Sequence, residues 1–229
     1  LNRAINSIQG QSYESVNFLI SDDASTDNSK EILETAFKHT NNSKFLFRTN
    51  NIGAWKNFIS RVKESKDLYL CWVCQDDQWD KDFVKELIHC AKKYKKRYGK
   101  LPSLVGCGTY LLNDDKVLIK KSLTSYDLEN KNSSGLAHAI LIGKKDIKHN
   151  KLNLIIHGLI KVSNLQYLIN SFPSIINFPF SDRHILVLLS ALGGIATTDK
   201  YLYFRDIDMG PKLRQEHINF KSKKVNWLK

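Results

Sequence analysis

The sequence has no apolar run long enough to cross a lipid bilayer. Its longest such run, from Ile185 to Ala196, contains 12 residues and includes a serine and two glycines, whereas a transmembrane helix needs about 20. Cysteine is also scarce, with four in 229 residues, which excludes the dense disulfide framework of a small secreted domain. We therefore expect a protein of the reducing cytoplasm.

Glycine-rich signatures for nucleotides and RNA are missing as well. Gly106-Cys107-Gly108 is followed by neither a third glycine nor a helix start, so it is not a dinucleotide-binding fingerprint. The basic runs contain no glycine-rich RNA-binding signature and no aromatic residues at stacking intervals. No specific nucleic-acid partner is expected.

The formal net charge of +12 is concentrated in two patches. One lies at the end of a predicted helix, where cations suit the helix dipole, and the other lies in the carboxyl-terminal tail. These patches predict loose, peripheral association with the anionic inner face of a membrane. The patch residues are Lys92, Lys93, Lys95, Lys96, Arg97 and Lys100 on the helix, and Lys212, Arg214, Lys221, Lys223, Lys224 and Lys229 in the tail.

Strand-like and helix-like segments alternate over the first eighty residues. Val16–Ile20, Phe45–Phe47 and Leu68–Cys74 have the short apolar pattern of strands, and amphipathic helical stripes separate them. Such alternation is typical of α/β proteins. We predict one domain with a doubly wound, mostly parallel sheet flanked by helices, in which Leu68–Cys74 is buried on both faces.

Two of these strands end in a pair of acids. Asp22 and Asp23 follow the first strand, and Asp76 and Asp77 follow Leu68–Cys74. Ligands of α/β sheets bind outside the carboxyl ends of the strands, and carboxylates there suit a divalent cation with its polyphosphate. The alternative is that the acids only form turns and cap helices. Four acids at one sheet edge repel one another unless a cation joins them.

The Cys71-x-x-Cys74 pair raises the question of a redox or zinc site. Neighbouring positions of a strand face opposite ways, and the sequence has no second cysteine pair of this kind. We therefore expect both side chains to be core thiols.

Four segments, taken in this order and spacing, resemble the family 2 glycosyltransferases with the GT-A fold. The resemblance is strongest over residues 1–90 and looks most like the rhamnosyltransferase and capsular-polysaccharide branch. The later half matches more loosely, through Phe180-Ser181-Asp182 and Leu202-Tyr203-Phe204-Arg205. The four segments are Ile5-x-Ser7-Ile8-x-x-Gln11-Ser12-Tyr13, Asp22-Asp23-Ala24-Ser25-Thr26-Asp27, Asn51-x-Gly53-x-x-x-Asn57 and Cys74-Gln75-Asp76-Asp77-x-Trp79.

The resemblance implies roles for the acids and for the loop between them. Asp22 and Asp23 belong to the nucleotide-binding part of the site, with Asp23 hydrogen-bonded to the base, while Gly53 and Asn57 shape the nucleotide pocket. Asp76 contacts the ribose, and Asp76 with Asp77 holds Mg²⁺ or Mn²⁺ on the diphosphate. Asp182 looks like the general base of an inverting transfer. Its alternative role is a helix N-cap.

The implied activity is transfer of a sugar from a UDP- or dTDP-sugar to a glycan or lipid-linked acceptor in surface polysaccharide biosynthesis. Residues 1–112 form the nucleotide-sugar-binding half, and residues 113–229 form the acceptor-binding half and the basic tail. One alternative is a non-catalytic basic module that binds glycan or nucleic acid. The other is a nucleotidyltransferase, although no glycine-rich basic phosphate loop lies near the amino terminus.

The sequence departs from the family pattern in three places. Cys74 stands where many relatives have the first acid of the acidic run, and Asp206 and Asp208 occur near where relatives often carry a histidine. The chain also begins after the family's first strand and its Pro-x-Tyr-Asn-like turn, so we expect the sequence to be a fragment. His157 and Arg205 are candidates for contacts with acceptor or phosphate, against the alternatives of a buried histidine and a surface arginine.

Overall fold

The computed structural model describes residues 1–112, 118–122, 152–173 and 181–206. Asp208, Phe180 and the basic patch of the tail lie outside the described residues. The helices are α1 (Asn2–Gln9), α2 (Ser29–Ala36), α3 (Ala54–Val62), α4 (Phe83–Tyr98), α5 (Val162–Ser171) and α6 (Ser181–Gly193), with a 3-10 helix at Leu152–His157. The strands are β1 (Phe18–Asp22), β2 (Ser43–Phe47), β3 (Tyr69–Leu70), β4 (Gln78–Trp79), β5 (Leu104–Leu112), β6 (Leu118–Ser122), β7 (Leu159–Lys161) and β8 (Ile195–Asp206).

The strands form two sheets, and this corrects the predicted mostly parallel arrangement. β1 and β2 pair in parallel as a two-stranded sheet. The larger sheet has the order β3-β7-β5-β8-β4, with β6 also paired to β5. Within it only the β5–β8 pairing is parallel, and the other described pairings are antiparallel. The sheet is therefore mixed, because β8 runs parallel to β5 whereas β6 and β7 run antiparallel to it.

The predicted strand Leu68–Cys74 is much shorter than expected. Only Tyr69–Leu70 pairs with another strand, and it does so antiparallel to β7. The apolar residues that follow β3 belong to no strand. They are covered by side-chain packing. Trp72 is buried and its ring lies 5.1 Å from that of Trp55 and 5.8 Å from that of Phe58, both on α3.

Helices cover both faces of the larger sheet. Along β5, Leu104 packs into a core with residues of α3, α5 and α6, while its neighbour Val105 packs into a core with residues of α4. Successive side chains of a strand point to opposite faces, so one strand contributes to both cores. Two-sided burial explains why Leu104 and Val105 are both fully buried.

Helix α4 is the predicted helix whose end carries the first basic patch. Its buried side chains recur at helical spacing, and it ends at Gly99, which has the left-handed φ of 72°. All six basic residues of the helix patch are exposed. The buried side chains are Phe83, Val84, Leu87, Cys90, Ala91 and Tyr94. Among the described residues, no helix has the length and apolarity needed to span a bilayer.

Candidate functional site

The first acid pair ends β1 and forms a tight turn. Asp22 is buried, and its Oδ2 accepts a hydrogen bond of 3.0 Å from the backbone N–H of Ser25. Between them Ala24 has a φ of 62°, a left-handed conformation that is uncommon for a residue with a side chain. The carboxylate of Asp22 therefore stabilises the turn that presents Asp23.

Asp23 connects this turn to the start of α3. Its Oδ1 accepts a hydrogen bond of 3.0 Å from the backbone N–H of Ile52, and its Oδ2 accepts one of 2.8 Å from that of Gly53. Asn51 donates from its side chain to the backbone carbonyl of Asp23 at 3.1 Å. The structure thus brings together two predicted residues, Asp23 and Gly53. Contact between Asp23 and a nucleotide base stays a prediction.

Arg48, which was not among the predicted site residues, links the first acid pair to Asn57. Its Nε donates to Asn57 Oδ1 at 2.9 Å and lies 3.8 Å from Asp23 Oδ1, while its Nη2 donates to Ser60 Oγ at 2.6 Å. Asn57 Oδ1 also accepts a hydrogen bond of 2.5 Å from Ser21 Oγ. The available signal was position, because Arg48 directly follows β2, whose last residue pairs with Asp22 at the end of β1.

The two acids of the second pair lie in different environments. Asp76 is exposed, whereas Asp77 is 1% exposed. Asp77 Oδ2 accepts a hydrogen bond from the hydroxyl of Tyr203. Its Oδ1 is buried and accepts no hydrogen bond from a nitrogen or oxygen donor of the described residues, while the Cys74 thiol is a weak donor to the carboxylate. The two carboxylates are therefore not equivalent in their surroundings, and the metal-binding roles of Asp76 and Asp77 stay predictions.

Three further side chains surround Asp77. The possible ligand atoms of Cys74, Asp77 and His157 all lie within 4.8 Å of one another. Arg205 lies next to them, with its Nη1 3.3 Å from His157 Nε2. The His157 ring stacks on that of Tyr203, with 5.2 Å between centroids. We name Cys74, Asp77 and His157 the Cys-Asp-His cluster.

Distant parts of the chain build this cluster. Cys74 and Asp77 lie in the turn before β4, His157 ends the 3-10 helix, and Tyr203 and Arg205 lie on β8. β4 pairs with β8 so that Trp79 lies opposite Tyr203. This pairing explains how Tyr203, which sequence analysis quoted only as part of a motif, comes to bind Asp77.

The surroundings of the cluster disfavour negative charge. Burial raises the pKa of Asp77 to about 6, against the opposing effects of the Tyr203 hydrogen bond and the Arg205 charge. Burial likewise raises the pKa of the Cys74 thiol to about 12, and the charges of Asp77 and Asp76 add to the effect. Both shifts favour the neutral forms. Cys74 is thus part of a polar cluster rather than a core thiol, while Cys71 packs against the core as predicted.

The donor atoms around Asp77 do not fit the expected Mg²⁺ or Mn²⁺. Mg²⁺ is held mainly by oxygen atoms, and Mn²⁺ also suits carboxylate, carbonyl and water ligands. Around Asp77 the structure offers one carboxylate together with a sulfur and an imidazole nitrogen. The second expected oxygen ligand, Asp76, is on the exposed side of the turn.

Asp182, the predicted base, and Asp206, one of the two acids near the position where relatives often carry a histidine, complete the set. Asp182 is the second residue of α6, and its catalytic role stays a prediction. Asp206 ends β8 and its Oδ2 forms a 2.6 Å ion pair with Arg3 of α1. That ion pair connects the last described strand to the first helix.

Comparison with known proteins bears on both the family and the fold. The family model described as Glycosyl transferase family 2 matches residues 1–120. No curated protein sequence matches the chain.

Solved structures of TarS from S. aureus are similar to this chain. TarS 1-349 in complex with UDP has a TM-score of 0.62 at 15% identity, over 91% of this chain and 57% of that one. TarS 1-349 in complex with UDP-GlcNAc has a TM-score of 0.61 at 15% identity, over 93% of this chain and 56% of that one. The chain thus spans a little over half the length of TarS 1-349. At this identity the likeness concerns the fold, which is α/β and GT-A-like as predicted.

Proposed function

The chain belongs to glycosyl transferase family 2, and on that premise we propose that it transfers a sugar from a nucleotide-diphosphate donor to an acceptor hydroxyl. The observation that supports this most is the extent of the family match. It covers residues 1–120 and includes both acid pairs with the Asn51–Asn57 segment between them. We also propose that, within the family, the chain belongs to the rhamnosyltransferase and capsular-polysaccharide branch.

Residues 1–112 form the donor-binding half in this proposal, with Asp23 as the partner of the base. Its two oxygens each accept one backbone N–H, but a carboxylate has about four acceptor sites. Asp23 can therefore orient the Ile52–Gly53 loop and still accept a hydrogen bond from a uracil or thymine N–H. Arg48 lies beside Asp23, with its Nε 3.8 Å from Asp23 Oδ1, and the same Nε donates a hydrogen bond to Asn57. Because TarS was solved with UDP and UDP-GlcNAc, uridine nucleotides are the first donors to test.

Transfer is proposed to be a single displacement with inversion. Asp182 takes the proton of the acceptor hydroxyl, and the acceptor oxygen attacks the anomeric carbon from the face opposite the leaving group. The bond from that carbon to the diphosphate breaks, and the nucleoside diphosphate leaves with the electron pair. Arg205 is the cationic side chain that we assign to the diphosphate, because a guanidinium suits phosphate oxygens.

The remaining assignments concern acceptor and location. We propose that residues 113–229 bind a glycan or lipid-linked acceptor of surface polysaccharide biosynthesis. The exposed basic residues of α4 support peripheral contact with the anionic inner face of a membrane, consistent with a cytoplasmic protein. The family resemblance implies a divalent cation on the diphosphate. Because Mg²⁺ and Mn²⁺ do not fit the donor atoms around Asp77, we assign no step of the transfer to a cation.

A thermal-shift experiment with nucleotides tests donor binding. UDP or dTDP is expected to raise the melting temperature of the wild-type chain, because a ligand that binds only the folded state stabilises it. Asp23→Asn should lose this gain, and the control Glu34→Gln, which neutralises an exposed acid on α2, should keep it. Hydrolysis of a panel of UDP- and dTDP-sugars then identifies the donor. Stabilisation by a polyanion but by no nucleotide contradicts the proposal and supports the non-catalytic basic module.

A further inference from the structure

We infer that Cys74, Asp77 and His157 form a binding site for a divalent cation of the Zn²⁺ type. Their ligand atoms lie within 4.8 Å of one another. In tetrahedral zinc sites the ligand atoms are about 3.3–3.6 Å apart, from Zn–S distances near 2.3 Å and Zn–N or Zn–O distances near 2.0 Å. A bound cation therefore requires the ligand atoms to approach one another by up to roughly 1.5 Å. Three protein ligands leave the fourth position for water or for a ligand oxygen.

An unpartnered atom inside the cluster supports this assignment. Asp77 is 1% exposed, and its Oδ1 accepts no hydrogen bond from a nitrogen or oxygen donor of the described residues; the thiol of Cys74, a weak donor, is the side chain that hydrogen-bonds the carboxylate beside it. A buried carboxylate oxygen without a partner is costly, and coordination of a cation removes that cost.

The second carboxylate oxygen supplies the support that metal ligands usually have. Tyr203 donates its hydroxyl to Asp77 Oδ2 and stacks its ring on His157. Hydrogen bonds from outer residues orient the ligands of metal sites and are important for affinity. One tyrosine thus positions two of the three proposed ligands.

The chemistry of the donors decides which cation the site selects. Thiolate and imidazole ligands favour Zn²⁺ and related transition metals, whereas Mg²⁺ favours carboxylate, carbonyl and water oxygens. The cluster has one sulfur, one nitrogen and one carboxylate. On binding, the Cys74 thiol releases its proton to solvent and coordinates as thiolate.

Arg205 opposes the cation. Its Nη1 is 3.3 Å from His157 Nε2, so its positive charge lies beside the proposed site and repels a second one. Removal of this charge by Arg205→Gln is therefore expected to tighten cation binding. If the site bound anions instead, Arg205→Gln would weaken ligand binding.

Cobalt provides a direct test on the full chain, purified without a polyhistidine tag and freed of metal. Co²⁺ is expected to bind with one-to-one stoichiometry and to produce the ultraviolet charge-transfer absorption of a thiolate ligand. Equimolar Zn²⁺ should displace it, and excess Mg²⁺ should not. Cys74→Ser should lose the charge-transfer band, while the control Cys71→Ser should keep it. Calorimetric Zn²⁺ affinity should fall more than about 10-fold in His157→Gln, with circular dichroism as the check of folding.

Three results overturn the inference. They are the absence of saturable Co²⁺ binding by the wild-type chain, a charge-transfer band that persists in Cys74→Ser, and displacement of Co²⁺ by Mg²⁺ as effective as that by Zn²⁺. The measurement contains no nucleotide or sugar, so the inference does not rest on the proposed transferase activity. Absence of donor hydrolysis leaves it intact, and absence of cation binding leaves the proposed donor site intact.

Discussion

Tyr203 donates a hydrogen bond to the buried carboxylate of Asp77 across 126 positions of the sequence. Both side chains are 1% exposed, and the pairing of Trp79 with Tyr203 holds β4 against β8 at this point. β8 also carries Arg205, whose charge lies beside the same cluster. Correct assembly of the site therefore depends on the docking of one late strand against a two-residue strand.

Tyr203→Phe removes that hydrogen bond and keeps the ring. We expect the free energy of unfolding to fall by about 1–3 kcal/mol, because the variant leaves a buried carboxylate with fewer donors. Urea denaturation at neutral pH measures the change. The control Tyr167→Phe removes a hydroxyl from an exposed tyrosine of α5 and should change stability by less than about 0.5 kcal/mol. Equal effects of the two substitutions would contradict the structural role of the bond.

Asp23→Asn tests the connection between the first acid pair and α3. In the amide an NH2 group replaces one carboxylate oxygen, so a donor would face one of the two N–H groups, of Ile52 and Gly53, that the two oxygens of Asp23 accept. We expect a loss of about 1–2 kcal/mol in the free energy of unfolding, together with weaker UDP binding by calorimetry. Glu34→Gln is the matched control on α2. Unchanged UDP affinity in a folded Asp23→Asn variant argues against base binding by Asp23.

Arg48→Lys tests whether a point charge can replace the forked guanidinium. Arg48 holds Asn57 through Nε and Ser60 through Nη2, and one ammonium group lacks the planar geometry for both contacts. The expected loss is about 1–2 kcal/mol of stability, measured by urea denaturation, with a weaker response to UDP in thermal shift. Arg97→Lys, on the exposed end of α4, is the control. If both variants behave like the wild type, the network does not organise the loop.

Local patterns predicted the parts of the fold that depend on neighbours in sequence. The buried stripe of α4 follows from helical periodicity and its end from Gly99, and the turn role that the sequence left open for Asp22 is seen in its hydrogen bond from Ser25. The antiparallel return of β7 beside β3 leaves no local signal, because it depends on segments about ninety residues apart. For the same reason the bond between Tyr203 and Asp77 was missed. The Arg48 network joins residues much closer in sequence, and only the position of Arg48 directly after β2 could have indicated it.

The prediction of a strand over the whole of Leu68–Cys74 was wrong, and the reason is physical. The apolar run at Leu68–Cys74 has the pattern of a buried strand, but Trp72 uses its large side chain to pack against α3. A bulky residue buried by a helix and one buried within a sheet produce the same sequence signal. Cys74 was then assigned to the core, although it lies within reach of Asp77 and His157.

Gly158→Ala is expected to disturb the cluster from outside. A Cβ at Gly158 would lie 2.0 Å from the backbone carbonyl oxygen of Val105, so either β5 or the chain after His157 must shift. We expect a loss of more than about 3 kcal/mol in the free energy of unfolding, measured by urea denaturation. Gly99→Ala is the control, because Gly99 has a positive φ but no atom within 4 Å of the added Cβ. It should cost only about 1 kcal/mol.

Asp182→Asn separates catalysis from donor binding. If Asp182 takes the proton of the acceptor hydroxyl, its amide variant should transfer sugar about 100- to 10,000-fold more slowly, while UDP affinity stays unchanged. The measurement is kcat for transfer, once a donor and acceptor pair is known, beside calorimetry with UDP. Asp199→Asn, an exposed acid on β8, is the control and should keep full activity. If Asp182 only caps α6, Asp182→Asn should keep its transfer activity, because an asparagine caps a helix about as well as an aspartate. Full transfer activity in Asp182→Asn would therefore remove Asp182 as the base and leave it as a structural residue of α6.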